Sequence, residues 1–212
     1  MKKYLFFLTL LAMVIPLSNC SRQENNDPVP DEPVVVDPKK ALTGTFIDFN
    51  QKENWVQQDW DIHFREMSEI GLNTVIVQFA AYNDITWFNS ANTFTHTKYP
   101  NALSMLLKAA AKENMSVYIG LYFNEDYWNN QTNAEWLQLN ADRCNYIAVE
   151  LNAQFGSEAA FAGWYIPHEP EPYAYNSADA VGSFRINLVD RISSKLHSLN
   201  SKPVSIAAFF NS

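Results

Sequence analysis

The sequence predicts an α/β fold with parallel strands, and three observations predict it. Short β-branched or aromatic runs alternate with amphipathic helical stretches from residue 41 onwards. Connections from helix to strand are tight, whereas those from strand to helix are long and rich in polar and aromatic residues. An apolar run, Phe161–Ile166, stops at Pro167, and His168, Glu169, Glu171, Tyr173 and Tyr175 follow at once. One end of the sheet is therefore plain and the other elaborated, and chemistry-bearing groups collect just past the carboxyl end of a buried strand. That is the pattern of a (βα)8 TIM barrel with its site at the carboxyl face.

The elements follow in order. Residues 45–49 (TFIDF) form the first run, and the helix after it carries Trp60, Phe64, Met67 and Ile70 on one face, closed by Gly71. Residues 73–80 (NTVIVQFA) form the second run, followed by a helix with Leu103, Leu106, Leu107 and Ala110. Residues 116–123 (SVYIGLYF) precede a helix on which Leu137, Ala141, Cys144, Ala148, Leu151 and Phe155 recur by threes and fours, so Cys144 is expected as a small core residue. Phe161–Ile166 is the fourth run. The last helix carries Val181, Phe184, Leu188, Ile192, Leu196 and Leu199, and residues 204–210 form the fifth run.

Four strand-helix units and a fifth strand thus occupy residues 41–212, whereas a closed barrel takes about 250 residues. The apolar edge at residues 204–210 would stand exposed, which favours a partial barrel truncated at its C-terminal side. An open five-stranded sheet and a half barrel completed by a second copy are the alternatives.

The 212 residues carry a formal charge of −8 with 47% apolar and 14% aromatic residues. Such an acidic chain lacks the basic face that nucleic acid or an anionic membrane surface requires, and it suits a neutral ligand. At the N-terminus, Lys2 and Lys3 precede an apolar stretch over residues 4–17, of signal-peptide length and short for a bilayer span. Leu17, Ser18, Asn19 and Cys20 resemble the lipobox of bacterial lipoproteins, which implies a signal peptide over residues 1–20 and lipidation of Cys20; an ordinary secretory signal is the alternative. Asn19 departs from the small residue usual at that place. Residues 21–40 hold four prolines among acidic and polar residues and are expected as a disordered tether. The lack of an aspartate directly after Cys20 implies, by the same resemblance, an outer-membrane location on the periplasmic or surface-exposed face, with the lipid as the only membrane contact.

Glycosidases commonly work through two carboxylates, one protonating the leaving oxygen and the other acting as nucleophile or as base for water. Glu169 sits where such a group is expected, with Pro167 and Pro170 fixing its backbone; a solvated loop carboxylate is the plain alternative. Glu171 and Glu125 are candidate partners or rim ligands. Asp48, inside the first strand, must find a partner or point into the barrel mouth, because burying it alone is costly. Gln78 holds the equivalent place on the second strand. Tyr122 and Asn124 stand at the third strand end. Trp128, Tyr173, Trp87, Tyr127 and Tyr175 lie in the long loops, where flat rings either stack on sugars or cap the core. The expected substrate-binding set is His168, Asp48, Gln78, Tyr122, Asn124, Glu125, Trp128, Glu171 and Tyr173.

No cofactor or metal is expected. His63, His96 and His197 fall apart from one another, and no H-E-x-x-H, Gly-rich phosphate loop or G-x-S-x-G elbow occurs.

His168, Glu169 and Pro170 at the end of strand four are similar to the Asn-Glu-Pro motif of a clan of retaining glycosidases. That likeness implies Glu169 as the general acid/base and His168 in place of an asparagine that bonds the sugar 2-hydroxyl. The stretches TGTFIDF, GLNTVIVQF, YIGLYF with Trp128, GWYIPHEPE and PVSIAAFF resemble, across residues 41–212, a family of glycosidase-like barrels of unassigned function on bacterial lipoproteins. The resemblance implies a domain continuing beyond Ser212 and a second carboxylate from a later strand. The expected function is a glycoside hydrolase acting on a poly- or oligosaccharide at the cell surface; a non-catalytic carbohydrate-binding lipoprotein is the alternative.

Overall fold

The computed structural model describes residues 43–209. The predicted signal peptide, Cys20, the tether and Phe210 lie outside the described residues. In chain order the elements are β1 (Gly44–Ile47), α1 (Gln57–Glu69), β2 (Thr74–Val77), three short strands β3 (Ala81–Tyr82), β4 (Ile85–Thr86) and β5 (Thr97–Lys98), then α2 (Ala102–Lys112) and β6 (Ser116–Gly120). They continue with β7 (Tyr122–Phe123), α3 (Tyr127–Asn130), α4 (Ala134–Phe155), β8 (Phe161–Ile166), α5 (Ala178–Phe184), a π-helical turn Arg185–Val189, α6 (Asp190–Leu199) and β9 (Val204–Ile206).

The main sheet runs β1-β2-β6-β8-β9, parallel throughout. Each crossover moves one place in the same direction, so spatial order equals chain order, as in a (βα) barrel. Curvature is visible in the side chains. The rings of Phe46 on β1 and Tyr165 on β8 meet edge to face at 5.4 Å, although three strand spacings would separate them by about 14 Å in a flat sheet. The chain thus supplies four βα units and a fifth strand of a TIM-barrel fold.

Helices cover one face of this sheet. Val75, Val77, Val117, Ile119, Trp164 and Ile166 point to that side and are fully buried, and burial of each large side chain contributes about 1.5–3 kcal/mol. Cys144 lies in this layer with its predicted neighbours Leu137, Ala141, Ala148, Leu151 and Phe155. Burial pushes its thiol pKa up to about 12, so it is inert as a nucleophile at neutral pH. Gly120 is required by close approach: a Cβ there would stand 2.1 Å from the Gln78 carbonyl oxygen on the neighbouring strand.

Two expected core positions are on the surface. Ile70 is 77% exposed because it is the C-cap of α1, where the helix ends in a Schellman turn. Leu72 N donates to Met67 O and Gly71 N to Ser68 O, and Gly71 takes φ +90°. Val181 is 50% exposed. The core face of the last helix is Phe184, Leu188, Ile192 and Leu196, each four residues apart. At 100° per residue such a row drifts by about 40° a step, and the wider π turn takes up part of that drift. Val181 falls outside the resulting stripe.

The third run is not one strand. β6 ends at Gly120, and beyond Leu121 the chain pairs as β7 with β3 in a second sheet of order β5-β4-β3-β7. Strands of two residues leave no periodicity to read, so this sheet was not expected. Between β4 and β5 it is held by a buried polar cluster centred on Asn92. The Asn92 side chain donates to Thr86 Oγ1 (3.2 Å) and Ser90 Oγ (2.7 Å) and accepts from Phe94 N (3.1 Å) and Thr95 N (2.8 Å). The fifth strand is also shorter than expected, and Phe209 N donates to Pro170 O at 3.0 Å.

Candidate active site at the end of the fourth parallel strand

β8 delivers its chemistry in one step. Pro167 and His168 are buried directly after it, and Glu169 is half-buried. Tyr165, the last inward-facing residue of the strand, donates its hydroxyl to Glu169 Oε1 at 3.3 Å. Burial, and then the nearby Glu169 charge, hold the Tyr165 phenol above its ordinary pKa, so it remains a protonated donor. Tyr127 donates to the Glu169 backbone carbonyl at 3.0 Å, and its oxygen lies 3.2 Å from that of Tyr175. Tyr175 in turn donates to Gln131 O at 2.7 Å, and burial raises its phenol to about 12. A tyrosine cluster therefore fixes both the carboxylate and the backbone of Glu169.

His168 is fully buried against Phe123 and Tyr127, at ring separations of 5.4 and 5.2 Å. Neither ring nitrogen has a hydrogen-bond partner among the described residues. Burial lowers its pKa to about 3, so the imidazole is neutral at physiological pH and adds no charge beside Glu169.

The other predicted residues separate into groups. Glu171 accepts from Tyr173 N and Ala174 N, both at 2.7 Å, and so caps its own turn. Tyr173 and Trp128 are exposed, at 74% and 43%. Trp128 lies beside Phe123 and Tyr127, and thus on the His168 side of the site. Asp48 accepts from Asn50 N at 3.0 Å and has Lys52 Nζ at 3.7 Å, partners found within its own turn. Gln78 is half-buried, and its backbone N–H joins the sheet at Ile47 O.

Tyr122, Asn124 and Glu125 gather elsewhere. Asn124 donates to the Tyr122 hydroxyl at 3.1 Å, and Glu125 accepts from Tyr82 at 2.6 Å. All three line a cavity of about 450 Å³ whose lining does not include Glu169. Successive residues of a strand face opposite ways. Tyr122 faces this cavity while Phe123 packs on His168, so β7 stands between the Tyr122 hydroxyl and His168, whereas Glu125 is tied to Tyr82, whose ring stacks on Phe123.

Of the loop aromatics, Trp87 stacks on Phe49 and Tyr99 in the core, and Tyr127 is buried. Sequence reading missed Tyr165, which looked like one more apolar strand residue, and Arg143, whose helix position carried no signal. Among the described residues no group of three His, Cys, Asp or Glu side chains converges as a metal cage.

The family described as "Domain of unknown function (DUF4434)" matches residues 42–212. No curated protein matches the chain. Among solved structures, one described as a "putative alpha-L-fucosidase" from Bacteroides thetaiotaomicron VPI-5482 is 25% identical with a TM-score of 0.61, covering 78% of this chain and 50% of that one. The endo-1,4-beta-mannanase of Rhizomucor miehei is 16% identical with a TM-score of 0.53, covering 79% of this chain and 56% of that one. A family 39 glycoside hydrolase from Bacteroides cellulosilyticus WH2 is 14% identical with a TM-score of 0.50, covering 77% and 30%. The chain thus spans about half the length of the first of these. The shared feature is the glycoside-hydrolase-like barrel.

Proposed function

The chain belongs to the DUF4434 family, and from its barrel fold and the residues at the end of the fourth parallel strand we propose that it is a glycoside hydrolase with Glu169 as general acid/base. One observation carries the reading: Glu169 stands at the carboxyl end of the fourth parallel strand with the Tyr165 hydroxyl on its Oε1. Support comes also from the fold likeness to glycoside hydrolases.

In the proposed reaction the protonated Glu169 carboxyl gives its proton to the glycosidic oxygen as the bond to the anomeric carbon breaks. Positive charge then develops on the ring carbon and oxygen, and water in the end bonds to that carbon while its proton returns to the Glu169 carboxylate. Tyr165 orients the carboxyl, and its hydroxyl holds the carboxylate that remains. Exposed Trp128 offers a ring face to the sugar. Neutral His168 holds the wall behind Glu169 and can serve a hydroxyl only where a ligand opens that contact. Among the described residues neither candidate partner is free for that role: Glu171 caps its own turn and Glu125 is held by the Tyr82 hydroxyl.

That last observation favours a second reading, a carbohydrate-binding protein without turnover. Release of reducing ends from soluble polysaccharides by the full chain separates the two. Hydrolysis by the wild type and its loss in Glu169→Gln support the enzyme; glycan binding with no release in either supports the binder. The cell-surface, lipid-anchored location is part of the proposal and is supported by residues 1–20 of the sequence alone.

A further inference from the structure

The cavity on the far side of β7 is built to a degree that packing alone does not require. Asn83 joins the two loops that form it. Its N–H donates to Phe123 O at 2.8 Å, its carbonyl accepts from Tyr122 at 3.3 Å, and its side-chain oxygen accepts from Glu125 N at 2.9 Å. It does so at φ +47°, a left-handed conformation that asparagine tolerates better than most residues.

Across the cavity, the Arg143 guanidinium lies over the rings of Phe94 and Tyr122, at 5.5 and 5.7 Å. Asp84, Glu125 and Asp126 line the same space. Among the described residues Arg143 makes no ion pair with any of them. Arg143 gives one long bond to the Tyr122 hydroxyl (3.5 Å), Glu125 accepts from Tyr82 and Asp84 from His96, which leaves further guanidinium N–H groups and the exposed Asp126 carboxylate without protein partners among the described residues. A hydroxyl group both donates and accepts, so a vicinal diol can bridge the remaining groups, donating hydrogen bonds to carboxylate oxygens and accepting from the guanidinium. Anionic ligands are disfavoured by three carboxylates against one cation. The volume, about 450 Å³, lies in the range of small-ligand sites.

We propose that this cavity is a second saccharide-binding site, separate from Glu169, taking one hydroxyl-rich pyranose unit of a neutral glycan. The proposal rests on the carbohydrate reading of the protein but not on turnover at Glu169. Its chemical effect would be to hold a polysaccharide beside the barrel mouth and raise its local concentration there.

The test is affinity electrophoresis of the full chain through gels containing galactomannan, xyloglucan, arabinoxylan or dextran. Wild type is expected to be retarded in at least one gel. Arg143→Met, which keeps the packing stem, and Asp126→Ala, at an exposed side chain without a hydrogen bond, should each weaken that affinity about ten-fold, the equivalent of one charge-assisted hydrogen bond. Asp126→Ala keeps the test valid where Arg143→Met fails to fold. Retardation unchanged in the folded variants, or no retardation of wild type in any gel, overturns the proposal. Reducing-end release without cavity-dependent retardation overturns this site alone, and cavity-dependent retardation without release overturns only the hydrolase reading.

Discussion

Tyr165 and Glu169 are joined by a 3.3 Å hydrogen bond from phenol to carboxylate at the mouth of the curled sheet, and the Tyr165 ring meets Phe46 from the first strand. A strand residue thus fixes a loop carboxylate, so a rigid element sets its direction.

Removing either partner should be unequal in effect. Glu169→Gln is expected to lower kcat by about 10²–10⁴-fold, the usual share of a general acid. Tyr165→Phe keeps the ring contact and should lower kcat about ten-fold with KM little changed. Steady-state kinetics on a polysaccharide found to be cleaved check both, and a Tyr165→Phe enzyme with full kcat would remove the positioning role.

His168 makes stability depend on pH. Its folded pKa of about 3 lies below the ordinary 6.5, so between those values the unfolded chain binds the extra proton. The contribution of the neutral ring is complete above pH 6.5 and is lost as pH falls toward 3, at about 1.4 kcal/mol per pH unit. His168→Phe, which replaces two unpartnered nitrogens by carbon, should match or exceed wild-type stability at pH 7 and show a shallower fall. Urea midpoints at pH 7, 6 and 5 decide this, with parallel curves for the two proteins as the contrary result.

Gly120→Ala places a methyl group against the backbone oxygens of Val77 and Gln78, which have no rotamer to escape into. A loss of more than about 3 kcal/mol is expected. Gly182→Ala, in open space on α5, should instead gain about 0.5–1 kcal/mol. Thermal melts of the pair test whether the sheet is as tightly spaced as described.

Asn92→Ala removes the centre of the buried polar cluster between β4 and β5. The groups left unpaired should cost about 2–4 kcal/mol. Hydrogen exchange should show lost protection at the Phe94 and Thr95 amides; retained protection would place the loop's stability elsewhere.

The sequence by itself determined the alternating βα order, the helix faces around Trp60, Leu106 and Cys144, and the arrival of Glu169 at a strand end. These are local matters: a 3.6-residue period, a buried run and a proline are legible one window at a time. It misplaced Ile70 and Val181 because a helix cap and a π turn shift which residue meets the core. Only the tertiary structure decided that Tyr165 bonds Glu169, that Glu171 is occupied by its own turn, that Tyr122 and Asn124 face away across β7, and that Glu125 is held by Tyr82. Those assignments depend on where a chain crosses between two sheets and on which distant groups satisfy each buried donor and acceptor. Pairings of that kind are fixed by hydrogen-bond geometry across long sequence separations, and no local pattern encodes them.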